Sequence, residues 1–521
     1  MNTLQLYTVR KLLLGFLLIF LTLPTHAQPK REFRGAWITT GFNLDWPSVS
    51  GLPADKQKAE YQDLLDSLKS YGMNAVVLQV RAAGDAIYPT QYAPWAISLS
   101  GKEGTAPAPL YDPLSFAIEA THAHAMEFHA WFNPFRVAVN WSPGKRLGEN
   151  HIYLQHPEWC IIYGTNLYLD PGIPAVRDYV KDLVLEVVKQ YPIDAVHFDD
   201  YFYPYPKPGE PFPDDSSFYS FARDTTDRAA WRRGNINTFI EDLRREMLDL
   251  KPEVQFGISP FGVWRNQKDD PRGSSTRAGV TSYDALHADI LYWLEKGWID
   301  YVAPQIYFSV GYPPADYEIL LDWWKSQVTG TQLYIGHAVY KVGNNSDKRW
   351  DDPSELPNQI RLLRAQEVPG SIFFRSQFLK ENPLSVTDSI RKSLYAHPAL
   401  LPISQYTPSF PPLLPSDFRI RPRVEGIELQ WDAPPSGTIR YYAIYRAEGQ
   451  TVPDATGAFL YAVLPDTGNI FLDKNLQNFR KYTYRITALD KAYQESGPTA
   501  SLSRRYAWGW FRKWKMRQKK R

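Results

Sequence analysis

Acidic side chains at the end of one short hydrophobic run offer the clearest chemistry in this sequence. In the run at 194–200, DAVHFDD, Val196 and Phe198 alternate with His197 and Asp199. Successive side chains of a β-strand point to opposite faces, so His197 and Asp199 would share the face opposite the apolar pair. A carboxyl group at a strand end is suited to glycoside hydrolysis, which usually needs two carboxyl groups. We take Asp199 as the first catalytic candidate. Burial would raise the pKa of Asp199 and favour a role as general acid. A nearby arginine would lower this pKa and favour a role as nucleophile.

The second carboxyl group is harder to place. Asp200 is adjacent to Asp199 and would point to the other face unless the strand ends between them, in which case both could reach one sugar. Otherwise Asp200 would brace a loop or a helix N-terminus. Asp85, just beyond the hydrophobic run at 74–81, is the best-placed substitute. Asp45 and Asp170 are the next candidates after Asp85. For each of these acids, bracing a loop or binding a hydroxyl is a better fit than catalysis.

The same alternation turns polar side chains from several other runs towards one rim. It applies to the runs at 74–81, 127–133, 256–259 and 301–307. Amides and carboxylates bind hydroxyls and aromatic rings stack on sugars, so this mixture predicts a polyhydroxylated ligand. A barrel closed only for stability would place Val, Ile or Leu at these positions. The predicted substrate-binding residues are Arg81, Trp131, Asn133, His197, Trp264, Gln305 and Tyr307.

Eight hydrophobic runs, each followed by an amphipathic stretch, would hold these groups in place. The predicted strands are 33–40, 74–81, 127–133, 194–200, 255–259, 300–307, 332–338 and 371–375. The predicted helices are 55–71, 113–126, 174–190, 235–250, 284–296, 315–327, 354–366 and 383–395. Eight strands that alternate with helices predict an α/β fold, a (β/α)₈ TIM barrel over residues 28–400, with its active site at the C-terminal strand ends.

Two other functions remain open at this point. His129, His197 and Asp199, with His122 and His124, contain the ligand chemistry of a metal-dependent hydrolase or deacetylase. However, His122 and His124 fall on different faces of one predicted helix. The sixth predicted strand supplies no acid, so the second alternative is a barrel that binds glycans without cleaving them. We predict no cofactor and no metal site.

Composition sets the limits on the class of protein. The 521 residues are 44% hydrophobic, which excludes a disordered or fibrous chain and allows more than one domain. The 58 Lys+Arg and 56 Asp+Glu give a net charge of +2, so there is no reason to expect a nucleic-acid partner. The single cysteine, Cys160, excludes an intramolecular disulfide and a cysteine-based zinc site.

The pattern changes after the predicted barrel. Residues 401–417 contain five prolines and predict a stiff linker. The runs at 427–431, 441–446 and 482–490 alternate apolar and polar residues, which is typical of half-buried antiparallel strands. They predict a small all-β sandwich over 418–503 that resembles a fibronectin type III domain. We predict no catalytic role for this domain.

Both ends of the chain carry signals of their own. Residues 1–27 hold two basic residues, an apolar run at 12–23 and small residues before position 28, which predicts a cleaved signal peptide. The signal peptide therefore predicts export of the protein to the periplasm or the extracellular space. Association of the exported protein with the cell envelope is an alternative that stays open. The tail at 504–521 holds nine Lys/Arg, no acid and three Trp. It is either a solvated terminus or a contact to an anionic membrane or acidic polymer.

Seven motifs together resemble one known family. They are RGAWITT (34–40), NAVVLQVRAAGDAIY (74–88), DPL to HAWFNPFR (112–136), LDPG (169–172), HFDDYFYPYP (197–206), GISPFGVWRN (257–266) and APQIYF (303–308). In order and spacing they are similar to the glycosyl hydrolase-like family 10, over about residues 31–400. The resemblance implies a secreted or envelope-associated (β/α)₈ glycosidase acting on a polysaccharide, and it links the chain to the glycan strands of bacterial peptidoglycan.

Overall fold

A computed structural model describes most of the chain. The described residues are 28–222, 225–404, 410–434, 439–449, 451 and 453–507. The predicted signal peptide at 1–27 lies outside this set, as do part of the predicted linker and residues 508–521 of the predicted tail. In the part of the chain that the structure describes, no helix is long and apolar enough to cross a membrane.

Nineteen strand segments and twelve α-helices occupy the described residues. The strands are β1 Phe33–Ile38, β2 Ala75–Arg81, β3 Glu127–Phe132, β4 Arg136–Ala138, β5 Cys160–Tyr163, β6 Asn166–Leu169, β7 Ala195–Phe198, β8 Gln255–Ile258, β9 Tyr301–Val302, β10 Gln332–Leu333, β11 Ile335–Ala338, β12 Gly370–Phe374, β13 Ser416–Pro422, β14 Ile427–Asp432, β15 Ile439–Glu448, β16 Leu460–Pro465, β17 Ile470–Asp473, β18 Lys481–Asp490 and β19 Leu502–Arg505. The helices are α1 Ala54–Ser70, α2 Ile97–Ser100, α3 Pro113–Ala123, α4 Ile152–Gln155, α5 Pro174–Gln190, α6 Asp215–Phe221, α7 Arg228–Leu250, α8 Ile290–Lys296, α9 Tyr317–Gln327, α10 Glu355–Ala365, α11 Ser376–Glu381 and α12 Val386–Ser393.

The large sheet is a closed parallel barrel. Its order is β10-β9-β8-β7-β3-β2-β1-β12-β11, and every pair in it is parallel. The two outer segments, β10 and β11, are separated by Tyr334 alone, so they form one strand that pairs with β9 at one end and β12 at the other. Eight strands therefore close on themselves, and the predicted TIM barrel is confirmed.

Strand parity decides which side chains enter the barrel, and β7 shows it best. Phe198 packs outward against aromatic rings of the surrounding layer, with Phe239 stacked at 5.8 Å and Phe256 edge-on at 5.2 Å. The interleaved His197 is fully buried among inward-facing groups and lies between Trp37 and Tyr301. The predicted orientation of this strand is confirmed.

Several predicted elements have different bounds in the structure, such as the helix predicted over 235–250, which begins at Arg228, and two of the differences have a local cause. The sixth strand was expected over 300–307, yet β9 covers only Tyr301–Val302, since Pro304 has no N–H to donate and Gln305 makes isolated bridges instead. The helix expected over 284–296 begins at Ile290. His287 has a positive φ of 54°, which interrupts the helical path, and Asp289 caps the Tyr292 N–H.

Two small antiparallel sheets form the second domain, in the orders β13-β14-β17 and β16-β15-β18-β19. Their shared core contains Trp431, Tyr442 and Tyr484, one residue from each of the three alternating runs. The resemblance to a fibronectin type III domain stays a prediction.

This domain packs on the N-terminal end of the barrel, opposite the strand ends that carry the candidate residues. Tyr441 and Tyr493 join a core that includes Phe33 of β1. The Arg440 side chain forms an ion pair with Asp194, whose other oxygen accepts the backbone N–H that begins β3. The domain therefore covers the barrel floor and leaves the opposite mouth open.

The Arg440–Asp194 pair should hold the two domains together. Arg440→Leu removes the arginine partner of the 5%-exposed Asp194 carboxylate, which keeps only His122 and the Phe128 N–H, and loss of one partner of a buried pair costs up to about 3–5 kcal/mol. We expect lower thermal and urea unfolding midpoints than in the parent chain. In the matched control, Arg423→Leu removes a half-exposed arginine of the same domain that pairs with Glu428, and should leave both midpoints unchanged. Equal effects of the two substitutions would contradict this role of Arg440.

Candidate active site

A cavity of about 510 Å³ opens at the C-terminal ends of the barrel strands. This is the end at which a TIM barrel places its active site. Seven of the ten predicted site residues line it, namely Asp85, Trp131, Asn133, Asp199, Asp200, Gln305 and Tyr307. The strand-end groups that sequence parity turned towards one rim are therefore largely together.

Asp199 and Asp200 both line this cavity, although they are consecutive residues. Pairing of β7 ends at Phe198, whose carbonyl accepts the Ser259 N–H at 2.8 Å. A turn follows, closed by the Phe202 N–H on the Asp200 carbonyl at 3.1 Å. Because the strand ends before Asp199, alternation no longer separates the two side chains, and each is only 4% exposed.

Asp199 is held by N–H donors. Its Oδ2 accepts from the Trp131 indole at 3.2 Å and from the Asn133 amide, and its Oδ1 accepts from the Tyr201 backbone N–H at 3.2 Å. A carboxylate offers about four acceptor positions, so one stays open towards the cavity. These donors favour the ionised form of Asp199.

The direction of the Asn133 amide is fixed by a chain of hydrogen bonds. The Gly41 backbone N–H donates to Gln79 Oε1 at 2.9 Å, which leaves the amide nitrogen of Gln79 to donate to Asn133 Oδ1 at 2.6 Å. Asn133 must then present its own nitrogen to Asp199. A backbone group of the loop after β1 thus determines that Asp199 receives a donor.

Asp200 has partners of a different kind. The Tyr205 hydroxyl donates to its Oδ2, and the Gln305 amide donates to its Oδ1 at 3.0 Å and to the Ser259 carbonyl at 2.8 Å. A hydroxyl can reverse its role and accept a hydrogen bond, whereas an N–H cannot. Asp200 can therefore carry a proton without losing its Tyr205 contact.

Electrostatics makes the pair share one proton. Burial raises the pKa of both carboxyl groups, and the charge of Asp200 raises the pKa of Asp199 further. The Arg136 guanidinium lowers both pKa values, but less than burial raises them. Like charges this close resist simultaneous ionisation, so one acid and one carboxylate coexist near neutral pH.

Aromatic rings form much of the cavity wall. Trp37, Trp131, Tyr307, Tyr340 and Phe374 all line it. The rings of Tyr307 and Phe374 stack at 6.0 Å, and Tyr340 meets Tyr307 edge-on at 6.0 Å. Burial, the neighbouring Tyr340 and the charge of Asp200 raise the pKa of Tyr307 well above its usual value, so its hydroxyl keeps its proton. Such a wall suits the apolar faces and substituents of a sugar.

Three predicted substrate-binding residues lie elsewhere. The register shifts between Gln79 and Arg81, and this irregularity turns Arg81 towards the backbone carbonyls of Asn133 and Pro134, at 2.9 and 3.1 Å. Trp264 is fully buried and stacks on Trp323 at 6.1 Å, so it offers no platform.

The third residue, His197, lies one layer below the cavity. Its ring contacts the Trp37 indole at 3.2 Å, the Ser259 hydroxyl at 2.9 Å and the Tyr301 hydroxyl at 2.8 Å. It is an inward-facing residue, as predicted, but the hydrogen bonds around it hold the cavity floor in place.

Asp85 lines the cavity apart from the acid pair. Its Oδ2 accepts the Ile97 N–H at the start of α2, at 3.3 Å. Burial raises its pKa, while that backbone bond and the charges of Arg81 and Lys145 lower it. The pKa of Asp199 responds instead to the charge of Asp200, and the pKa values of both acids respond to Arg136. Asp85 therefore braces the rim loop.

Several cavity residues were not predicted because they lie beyond the barrel strands, either on loops or, like Arg136, at the start of the short strand β4. Arg136 covers the Tyr201 ring at 4.2 Å, and Tyr205 bonds Asp200. Lys145 lines the same cavity. The run of aromatics after the acid pair, DDYFYPYP, was the available signal for the two tyrosines. Nothing in the local pattern indicates Lys145.

The histidines of the metal hypothesis do not converge. His122 bonds Asp194 at 2.9 Å on the outside of the barrel, and His124 bonds Asp66 at 3.1 Å. Among the described residues, no group of three or more His, Cys, Asp or Glu side chains is placed to hold one metal ion. The proposed ligand set is thus not assembled.

Comparisons with known proteins find similarity over most of the chain. Residues 32–352 match the family model described as glycosyl hydrolase-like 10. Glycosyl hydrolase YngK of Bacillus subtilis is 43% identical over 493 residues, which cover 93% of this chain and 96% of the relative. Glycosyl hydrolase DigH of Escherichia coli K12 is 40% identical over 380 residues, covering 68% of this chain and 86% of the relative. Among solved structures, an α-L-fucosidase from Paenibacillus thiaminolyticus aligns with a TM-score of 0.46 at 12% identity, over 70% of this chain and 49% of that one.

The Tyr205 contact predicts a change in pH dependence. Its hydroxyl lowers the pKa of Asp200, so Tyr205→Phe should raise that pKa. If Asp200 acts as an acid, its protonated form then persists to higher pH, and the alkaline limb of the rate profile for glycan cleavage moves upward. Tyr340→Phe removes a hydroxyl from the same cavity that does not contact the pair, and should leave the limb in place. A downward shift in Tyr205→Phe would contradict the assignment.

Proposed function

The chain is a glycoside hydrolase that belongs to the glycosyl hydrolase-like 10 family, and we propose that it is exported and cleaves the glycan strands of peptidoglycan. In this proposal Asp199 and Asp200 form the catalytic carboxyl pair. The observation that carries the proposal is that two buried carboxyl groups, whose pKa values are raised by burial, line an open cavity at the catalytic end of the barrel. Family membership rules against the alternative of a barrel that only binds glycans.

The shape and chemistry of the cavity support a polysaccharide substrate. A volume of about 510 Å³ accommodates a sugar unit with part of its neighbour, and the aromatic wall offers surfaces for stacking. Arg136 and Lys145 add positive charge to the lining. That charge suits an acidic sugar, such as one bearing the lactyl carboxylate of peptidoglycan strands from which the peptides have been removed.

The ends of the chain support export to the cell envelope. The first 27 residues have the pattern of a signal peptide, and the tail at 504–521 carries nine basic residues and three tryptophans. A tail of this kind would bind an anionic membrane or polymer near the substrate.

Substitution of the acids tests the catalytic assignment. Asp199→Asn and Asp200→Asn should each reduce hydrolysis by about 10²- to 10⁴-fold, because each removes a group that acts in the transition state. Asp85→Asn should keep activity within about tenfold, since Asp85 braces a loop and does not meet the reacting atoms. Asp249→Asn, on the exposed end of α7, is the matched control and should be fully active.

The measurement is the mass spectrum of sugars released from denuded peptidoglycan and from a panel of other polysaccharides. A parent chain that releases nothing from peptidoglycan would refute that substrate. An Asp85→Asn variant as inactive as Asp199→Asn would instead move the catalytic role to the other side of the cavity.

A further inference from the structure

We infer that the enzyme uses the 2-acetamido group of its own substrate as the nucleophile, with Asp199 holding the acetamido N–H and Asp200 protonating the leaving oxygen. This inference rests on the carboxyl pair proposed above and narrows it to one mechanism and one class of sugar. Substrate assistance of this kind replaces the second enzyme carboxylate of the usual scheme.

The position of the two acids carries the inference. In the two-carboxylate scheme, the acid and its partner flank the scissile bond, with a sugar between them. Here both acids follow one strand as consecutive residues, so they approach a bound sugar from the same wall. Besides this pair, two acids of the described chain line the cavity, namely Asp85 and Glu103. Each bonds a backbone N–H of a rim loop, that of Ile97 or Gly148.

The cavity wall next to the pair is built from amide and aromatic groups. Near the sixth strand, Gln305 and Tyr307 occupy the positions where a carboxylate nucleophile could stand. The Gln305 amide is already committed to Asp200 and to the Ser259 carbonyl. Neither residue can attack an anomeric carbon as a carboxylate does, which favours a nucleophile carried by the substrate.

The hydrogen bonds divide the roles between the two acids. Asp199 accepts from three N–H groups and keeps one acceptor position open, which suits a carboxylate that receives one more N–H. Asp200 bonds a hydroxyl that can reverse its role, so this contact is kept when Asp200 carries the proton that it gives to the leaving oxygen. An orienting carboxylate and an adjacent acid are the two groups that acetamido participation needs.

The aromatic wall supplies the remaining contacts. The Tyr307 hydroxyl makes no hydrogen bond to the described residues and lies near enough to the pair to respond to its charge. It can donate to the acetamido carbonyl oxygen and direct that atom towards C1. The rings of Trp37, Trp131 and Phe374 surround this region and offer an apolar surface for the acetamido methyl group.

The two steps balance in atoms and electrons. In the first, the acetamido carbonyl oxygen forms a bond to C1, the bond from C1 to the glycosidic oxygen breaks, and that oxygen takes the proton of Asp200. The resulting oxazolinium ion keeps its N–H on the Asp199 carboxylate. In the second step, water attacks C1 and gives a proton back to Asp200, and the bond from C1 to the acyl oxygen breaks. The product retains the anomeric configuration of the substrate.

This mechanism restricts the substrate. The acetamido oxygen reaches C1 only from the face opposite the leaving group, so the scissile bond is β in a sugar of the gluco series. Sugars that carry a 2-hydroxyl or a free 2-amine in place of the acetamido group lack the nucleophile.

A comparison of matched glycans tests the inference. Denuded peptidoglycan strands are offered to the parent chain before and after chemical removal of the N-acetyl groups, and products are followed by mass spectrometry and proton NMR. We expect cleavage of the acetylated strands with retention, and at least about 100-fold slower cleavage of the deacetylated strands. Equal rates on both, or an inverted first product, would overturn the inference while leaving the hydrolase assignment intact. If neither the acetylated nor the deacetylated strands are cleaved, the proposal that peptidoglycan is the substrate is refuted as well.

Binding of an intermediate analogue gives a readout that does not need turnover. A thiazoline derivative of N-acetylglucosamine mimics the bicyclic oxazolinium ion, and by calorimetry it should bind at least about 100-fold tighter than N-acetylglucosamine itself. Asp199→Asn and Tyr307→Phe should lose this preference, whereas Asp200→Asn should keep most of it. Asp249→Asn is again the matched control. No preference for the thiazoline in the parent chain would refute acetamido participation, and loss of the preference in Asp200→Asn alone would refute the division of roles.

Discussion

Polar groups inside a barrel must find partners, and this requirement governs the interior of the molecule. Trp37 can only donate, so its bond to His197 Nε2 places the His197 proton on Nδ1, which then donates to the Tyr301 hydroxyl at 2.8 Å. Tyr301 donates in turn to His129 Nδ1 at 2.8 Å, and His129 Nε2 donates to Glu127 at 3.0 Å. These hydrogen-bonded side chains, from Trp37 to Glu127, form a column inside the barrel. Burial lowers the pKa of His197 well below its usual value, so His197 stays uncharged within this column.

The second domain completes this column. Glu127 lies at the start of β3, and the Tyr493 hydroxyl from the small antiparallel sheets donates to its other oxygen. A buried carboxylate at a barrel floor needs such donors, because an unpaired one is expensive to keep out of water. The domain thus satisfies polar groups at one end of the barrel and leaves the catalytic end free. The described residues that line the cavity all come from the barrel and its loops, and none comes from this domain.

Sequence patterns predicted the scaffold better than the loops. Strand parity correctly turned His197 inward, because alternation is a local rule that holds wherever a strand is regular, and Asp199 and Asn133 reach the cavity directly after their strands end. It failed for Arg81, where the register shift breaks the alternation that the prediction assumed. Trp264 follows its strand on a loop, and its burial against Trp323 depends on contacts distant in sequence. The roles of Tyr205 and Arg136 depend on loop paths that no periodicity encodes.

The chemistry depends on where one strand ends. If pairing of β7 ran one residue beyond Phe198, regular alternation would turn Asp200 towards the helices and leave Asp199 as a single acid in the cavity. In the structure, strand pairing ends at Phe198 and the chain turns back at Phe202. Both carboxyl groups therefore lie on one wall, and each has its own set of hydrogen-bond donors. One set consists only of N–H groups and favours a charge, and the other includes a hydroxyl and tolerates a proton. Two identical side chains therefore acquire different chemistry from neighbours that the turn, and not the acids themselves, selects.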